Sequence, residues 1–184
     1  MIINVLLGCG LVLLHRENQR LRAQIGIDSL TGLPIWTPST LRGLLRELPM
    51  SGIVLVFVDL DDLRLVNNSL GHREGDRLIC RAAEALLSGV RRAADKRRVY
   101  RRGTASDELV IYLPIPSQHD AQEAVNRLRD ALTAEGIRAS IGAAWLSLSS
   151  LEGRPDPDAL EMSAEAAMRQ AKAAGKNQTV WSDL

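Results

Sequence analysis

Apolar residues along this chain fall into two periods. From Ile53 to Val58, behind Gly52, every position is apolar, the pattern of a strand buried on both faces. Residues 98–102 and 108–113 read as two more strands around a tight acidic connection, a hairpin signal. Ala139–Leu146 reads as a strand and Gln178–Trp181 as a short closing one. Elsewhere the spacing is three and four. It predicts helices over Ser39–Leu48, with Leu41, Leu44, Leu45 and Leu48 on one face, and over Glu74–Val90, with Leu78, Ile79, Ala82, Ala85, Leu86 and Val90. Further helices are predicted over Asp61–Leu70 (short), Ala121–Glu135 and Asp158–Ala174. The order implies an α/β domain of the α+β kind, an antiparallel-containing sheet with a hairpin at the centre of the chain and flanking helices. A doubly wound parallel sheet has no place for that hairpin.

The first residues follow another pattern. Ile2 to Leu14 is mostly apolar, and the chain turns sharply polar from His15 to Arg20. Asn4, Leu7, Leu11, Leu14, Asn18, Leu21 and Ile25 alternate spacings of three and four, a heptad seam in which asparagines at a positions fix a two-stranded register. Gly8 and Gly10 weaken it as a helix. The competing reading is a marginal membrane anchor over residues 2–14 with a basic flank, although a bilayer crossing needs roughly 20 residues. No basic region precedes the apolar run, which argues against a signal peptide. Residues 1–27 are therefore expected to form a dimerising or anchoring helix, and residues 28–184 one domain.

Composition narrows the class. A chain of 184 residues suffices for one full core plus an extension, and a net charge of +1 leaves no broad footprint for nucleic acid. Cys9 and Cys80 have no metal-ligand or framework spacing and fit a reducing, cytoplasmic compartment, free or tethered at the inner face of the cell membrane. His15, His72 and His119 are too scattered for a zinc site. His72 is expected to cap the start of its helix.

The chemistry lies at strand ends. Asp59-Leu60-Asp61 closes the first apolar run, and Asp107-Glu108 opens another. A carboxylate at the end of a buried strand is poorly solvated unless it holds a cation, and two such strands make a platform for metal-assisted phosphoryl transfer. Each acid alone would serve equally as a strand-end cap.

Four ordered segments resemble one family. Asp28-Ser29-Leu30-Thr31-Gly32-Leu33 resembles the D-x-L-T-G-L opening of GGDEF domains, the bacterial diguanylate cyclases. Asp59-Leu60-Asp61 through Asn67-Asn68 to Gly71-His72-x-x-Gly75-Asp76 resembles their D-x-D-x-F-K-x-I-N-D-x-x-G-H-x-x-G-D block. Ser140-Ile141-Gly142 is similar to their S-I-G strand, and Ala171-Lys172-x-x-Gly175-Lys176-Asn177 to their A-K-x-x-G-R-N close. The resemblance implies a nucleotidyl-cyclase or polymerase-palm-like sheet.

It also implies roles. Asp59 and Asp107, with the Leu60 carbonyl, would hold Mg²⁺ (or Mn²⁺). Glu108 would assist as a metal ligand or, with Asp107, as the acid–base group near the reacting hydroxyl. Asn67 and Asp76 would read guanine, Lys172 and Lys176 would grip the outer phosphates, and Arg64 stands where the family usually has lysine. The signature departs from R-x-G-G-D-E-F. Either Ala105-Ser106 replace the glycines, or the turn keeps Gly103 and is two residues longer. Arg92-Ala93-Ala94-Asp95 has the letters of the family's inhibitory R-x-x-D, but eleven residues separate Asp95 from Asp107, so no inhibitory site is assigned.

The leading expectation is a diguanylate cyclase, a homodimer that condenses two GTP into cyclic di-GMP. The alternatives are a silent domain of the same fold that binds GTP or acts by dimerisation, and a membrane-tethered structural partner.

Overall fold

The structure is a computed structural model that describes residues 26–45, 52–90, 98–103, 106–147 and 156–182. The heptad seam, residues 2–14 and Arg92–Asp95 lie outside the described residues. Among the described residues no helix is long and apolar enough to cross a membrane.

In chain order the elements are α1 (Pro38–Leu45), β1 (Gly52–Leu60), α2 (Leu63–Leu70), α3 (His72–Gly89), β2 (Val99–Arg101), β3 (Glu108–Pro114), α4 (Gln118–Ala134), β4 (Ala139–Ser147), α5 (Pro157–Ala173) and β5 (Thr179–Ser182). They form one sheet in the order β2-β3-β1-β4-β5, with β1 antiparallel to both neighbours and β5 parallel to β4. The predicted hairpin is β2–β3. It is central in the chain yet sits on one side of the sheet, because β1 takes the middle.

Every residue of β1 is buried, as the unbroken apolar run requires. Val54, Val56, Val58 and Leu60 face a core shared with Ile79, Ala82 and Leu86 of α3 and Val125 and Leu128 of α4. Ile53, Leu55 and Phe57 face a second core with Leu41 of α1 and Leu160, Ala164 and Met168 of α5. Helices on both faces explain why alternation is lost in β1.

Helix α5 approaches β4 at Gly142, where a Cβ would stand 2.1 Å from the Met168 nitrogen and 2.2 Å from the Ala164 oxygen. Only glycine admits this contact, and one turn beyond Met168 the helix delivers Lys172 to the end of β1.

The opening turn is fastened to the hairpin. Arg101 Nη1 donates to both Asp28 oxygens at 2.9 Å, with side chains only 4% and 2% exposed. Burial alone would raise the Asp28 carboxyl, but hydrogen bonds from Thr31 and Arg101 outweigh it and hold it below the usual range. One expectation fails. The N-cap of α3 is Gly71, and His72 is the first helical residue, with an exposed side chain. An imidazole at the first helical position lies past the cap, where a side chain reaches the free N–H groups poorly.

Candidate active site

The end of β1 builds the site. Asp59 is 3% exposed. It is paired in register with Glu108 of β3 on one side and Ser140 of β4 on the other, so these side chains share the α5 face. Lys172 Nζ donates to Asp59 Oδ2 at 2.5 Å, while Asp59 Oδ1 is buried and accepts no hydrogen bond. Burial pushes the Asp59 carboxyl up to about 6; Lys172 pulls it down, and Asp107 and Glu108 add repulsion.

Asp61 does something else. Ser140 Oγ donates to its Oδ1 and the Asn177 amide to its Oδ2, each at 2.7 Å, so both oxygens are used. This carboxylate ties the end of β1 to β4 and to the segment after α5. Asp62 follows in the left-handed region at φ 61°, and Lys176 Nζ donates to its Oδ1 at 2.7 Å. That bond holds the Asp62 carboxyl low and the Lys176 ammonium high. Lys176 and Asn177 are themselves at φ 63° and 47°. Backbone strain of this kind collects at functional sites.

An open cleft of about 430 Å³ brings together Asp59, Leu60, Arg64, Asp107, Lys172 and Lys176, with Asp62, Leu63, Leu65 and Asn68 completing its wall. Glu108, Asn67 and Asp76 are not part of that wall. Asn67 packs against Gly75, where a Cβ would lie 1.9 Å from its Oδ1, and that oxygen is shielded and unbonded. Asp76 is the next residue of α3 and is exposed.

The signature turn keeps one glycine where glycine is needed. Gly103 stands at φ +79°, whereas Ser106 is not among the residues of positive φ. Ser106 Oγ accepts from the Glu108 amide at 3.0 Å, and its carbonyl accepts from Arg101 Nε at 2.9 Å. Arg101 bonds Asp28, and the Arg102 amide donates to the Glu108 carbonyl at 2.9 Å. At the two described ends of the turn, Gly103 uses the left-handed backbone and Ser106 does not, as the reading that keeps Gly103 requires.

Arg102 carries a contact that the sequence does not announce. Its guanidinium donates to Glu108 Oε2 at 2.7 Å and to Glu165 Oε2 at 3.1 Å, and lies 5.0 Å from the centre of the Phe57 ring. The only available signal was that Glu165 stands two turns before Lys172 and so shares its face of α5.

The donors suit a hard cation. Asp59 offers a buried, unbonded oxygen, and the other candidates are carboxylate and carbonyl oxygens, which favour Mg²⁺ or Mn²⁺. Among the described residues no three acidic, histidine or cysteine side chains already converge. An ion here would take its remaining ligands from a carbonyl, water and phosphate oxygens, as Mg²⁺ commonly does.

Comparison with known proteins gives a consistent family. Residues 25–178 match the family described as diguanylate cyclase, GGDEF domain. The chain is 28% identical to the cyclic di-GMP phosphodiesterase NbdA of Pseudomonas aeruginosa, over 89% of this chain and 21% of that protein. It is 27% identical to the diguanylate cyclase DosC of Escherichia coli, over 85% of this chain and 35% of that one. The chain thus spans about a fifth to a third of the curated relatives it matches. The solved GGDEF domain of TpbB (YfiN) from Pseudomonas aeruginosa superposes with a TM-score of 0.71 at 25% identity, covering 86% of this chain and 95% of that one.

Proposed function

The chain belongs to the GGDEF family, and from that membership we propose that it is a diguanylate cyclase that condenses two GTP into cyclic di-GMP and two pyrophosphates. The observation that carries this reading is the buried Asp59, one oxygen unbonded, at a cleft shared with Asp107 and two lysines.

In this reading Asp59, Asp107 and the Leu60 carbonyl hold Mg²⁺ or Mn²⁺. The ion, when bound, neutralises the triphosphate and acidifies the attacking hydroxyl. Lys172 and Lys176 leave their acid partners for the outer phosphates, with Arg64 at the rim. Asn67 and Asp76 select guanine through its donor edge. Glu108, held by Arg102, accepts the proton of the ribose 3′-hydroxyl. The freed oxygen bonds to the α-phosphorus of the second GTP, the bond to the β-phosphate oxygen breaks, and pyrophosphate leaves. Two sites must face each other, so the working unit is a homodimer, and residues 1–27, as a separate unit from the domain at 28–184, raise the local concentration of paired domains. With a reducing-type cysteine pattern, the domain works in the cytoplasm.

Support comes from the cyclase relative, the family match and the acid–cation geometry. A second reading, nucleotide binding without turnover, draws on the lengthened signature turn. Incubation of the purified chain with GTP and Mg²⁺, with nucleotides resolved chromatographically, separates them. Cyclic di-GMP supports the cyclase, and GTP retained unconverted on the protein supports the silent domain.

A further inference from the structure

Glu108 is opposite Asp59 in the sheet, and it already has a cation. The Arg102 guanidinium is held at three points: Glu108 at 2.7 Å, Glu165 at 3.1 Å and the Phe57 ring at 5.0 Å. Arg102, Glu108 and Glu165 are only 31%, 22% and 25% exposed. Glu165 is fixed in turn by Arg169 Nη1 at 2.6 Å. This differs from Lys172 on Asp59. Lysine is a single flexible point charge, whereas the planar guanidinium fits two carboxylates at once and stacks on a ring, so it resists displacement. Glu108 is therefore paired by a built contact, and Asp59 keeps a free buried oxygen.

We propose that Arg102 is a positioning residue that takes the place of a metal ion on Glu108, confining divalent-ion binding to the Asp59–Asp107 side of the cleft. The inference rests on the metal-holding role given above to Asp59.

The test is titration of free Mn²⁺ into the full chain without nucleotide, followed by loss of the hydrated ion's EPR signal. Glu108→Gln alone should leave Mn²⁺ affinity within about twofold, because the wild-type carboxylate is not a ligand. Arg102→Gln should tighten Mn²⁺ by about tenfold or more, the scale on which outer partners tune metal sites. Placed together with Glu108→Gln, it should lose that gain, the coupling expected of residues in contact. Arg102→Lys keeps the charge and should stay within about threefold of wild type. A tenfold loss in Glu108→Gln overturns the proposal, and so does a gain in Arg102→Gln that survives without Glu108. The Glu108→Gln result decides even if the Arg102 variants fail to fold. Asp59→Asn separates the layers: lost Mn²⁺ binding upholds the metal reading beneath the proposal, and unchanged binding overturns both.

Discussion

Lys172 and Asp59, 113 residues apart in sequence, meet at 2.5 Å at the end of the central strand. The lysine covers one carboxylate oxygen and leaves the other buried without a partner. An acid half-satisfied in this way costs stability in the empty protein, and it supplies a strong ligand once a divalent ion arrives.

That cost has a sign in pH. The folded Asp59 carboxyl at about 6 stands above its ordinary 3.8, so the folded chain holds a proton that the unfolded chain has lost between those values. The ionised group opposes folding above pH 6, and the penalty fades as pH falls through 6 toward 4. Urea unfolding in EDTA should show wild type gaining about 1–2 kcal/mol relative to Asp59→Asn between pH 7 and pH 5. Parallel curves for the two proteins would remove the claim.

Gly142→Ala should loosen α5. The added methyl meets backbone at 2.1 and 2.2 Å, which no side-chain rotation relieves. Overpacking of this kind costs about 1–3 kcal/mol or more, and the displaced helix should carry Lys172 off Asp59. The expected outcome is a lower denaturation midpoint with weaker GTP binding in equilibrium dialysis.

Asp28→Asn leaves the buried Arg101 charge without its counterion, with only the Ser106 carbonyl still accepting from its Nε. Breaking a buried pair from one side typically costs about 3–5 kcal/mol, so the melting temperature should fall steeply. A fall of only a degree or two would mean the pair is dispensable.

The signature turn makes an uncommon prediction. Restoring glycine at Ala105 and Ser106 should not raise activity, because Ser106 is outside the left-handed region and its hydroxyl accepts from the Glu108 amide. Losing that bond should cost about 1 kcal/mol. Deleting Thr104 and Ala105, which shortens the turn while keeping Ser106, should raise the cyclisation rate or GTP affinity. Higher activity from the glycine variant would favour the replacement reading.

Removing residues 1–24 tests assembly. Light scattering should find the truncated domain folded and mostly monomeric, with a rate that rises steeply with protein concentration. A full chain that is itself monomeric at micromolar concentration would dispose of the dimerising seam.

Much of this was readable before any coordinates. The apolar run of β1 announced a strand covered on both faces, and the family resemblance at Asp59, Asp107, Lys172 and Lys176 named four residues that line one cleft. Gly75 was legible only as a letter of the family block; the structure supplies its reason, since a Cβ there would lie 1.9 Å from Asn67 Oδ1. What the sequence hid depends on distant segments meeting. Nothing local marks Asp61 as a brace for Ser140 and the Asn177 amide, or Arg102 as a bridge from Glu108 to Glu165. The helix start at His72 was misread because a cap is set by backbone geometry, which Gly71 already provides.

The most direct measurement is a timed assay of the full chain with GTP and Mg²⁺ that quantifies cyclic di-GMP and pyrophosphate together. The account predicts two pyrophosphates per cyclic dinucleotide from the wild-type chain. It also predicts a rate at least roughly 10²-fold lower in Asp59→Ala, the scale of losing one strong electrostatic stabiliser. No cyclic di-GMP from a dimeric wild-type chain at saturating GTP, or equal turnover in Asp59→Ala, would contradict it.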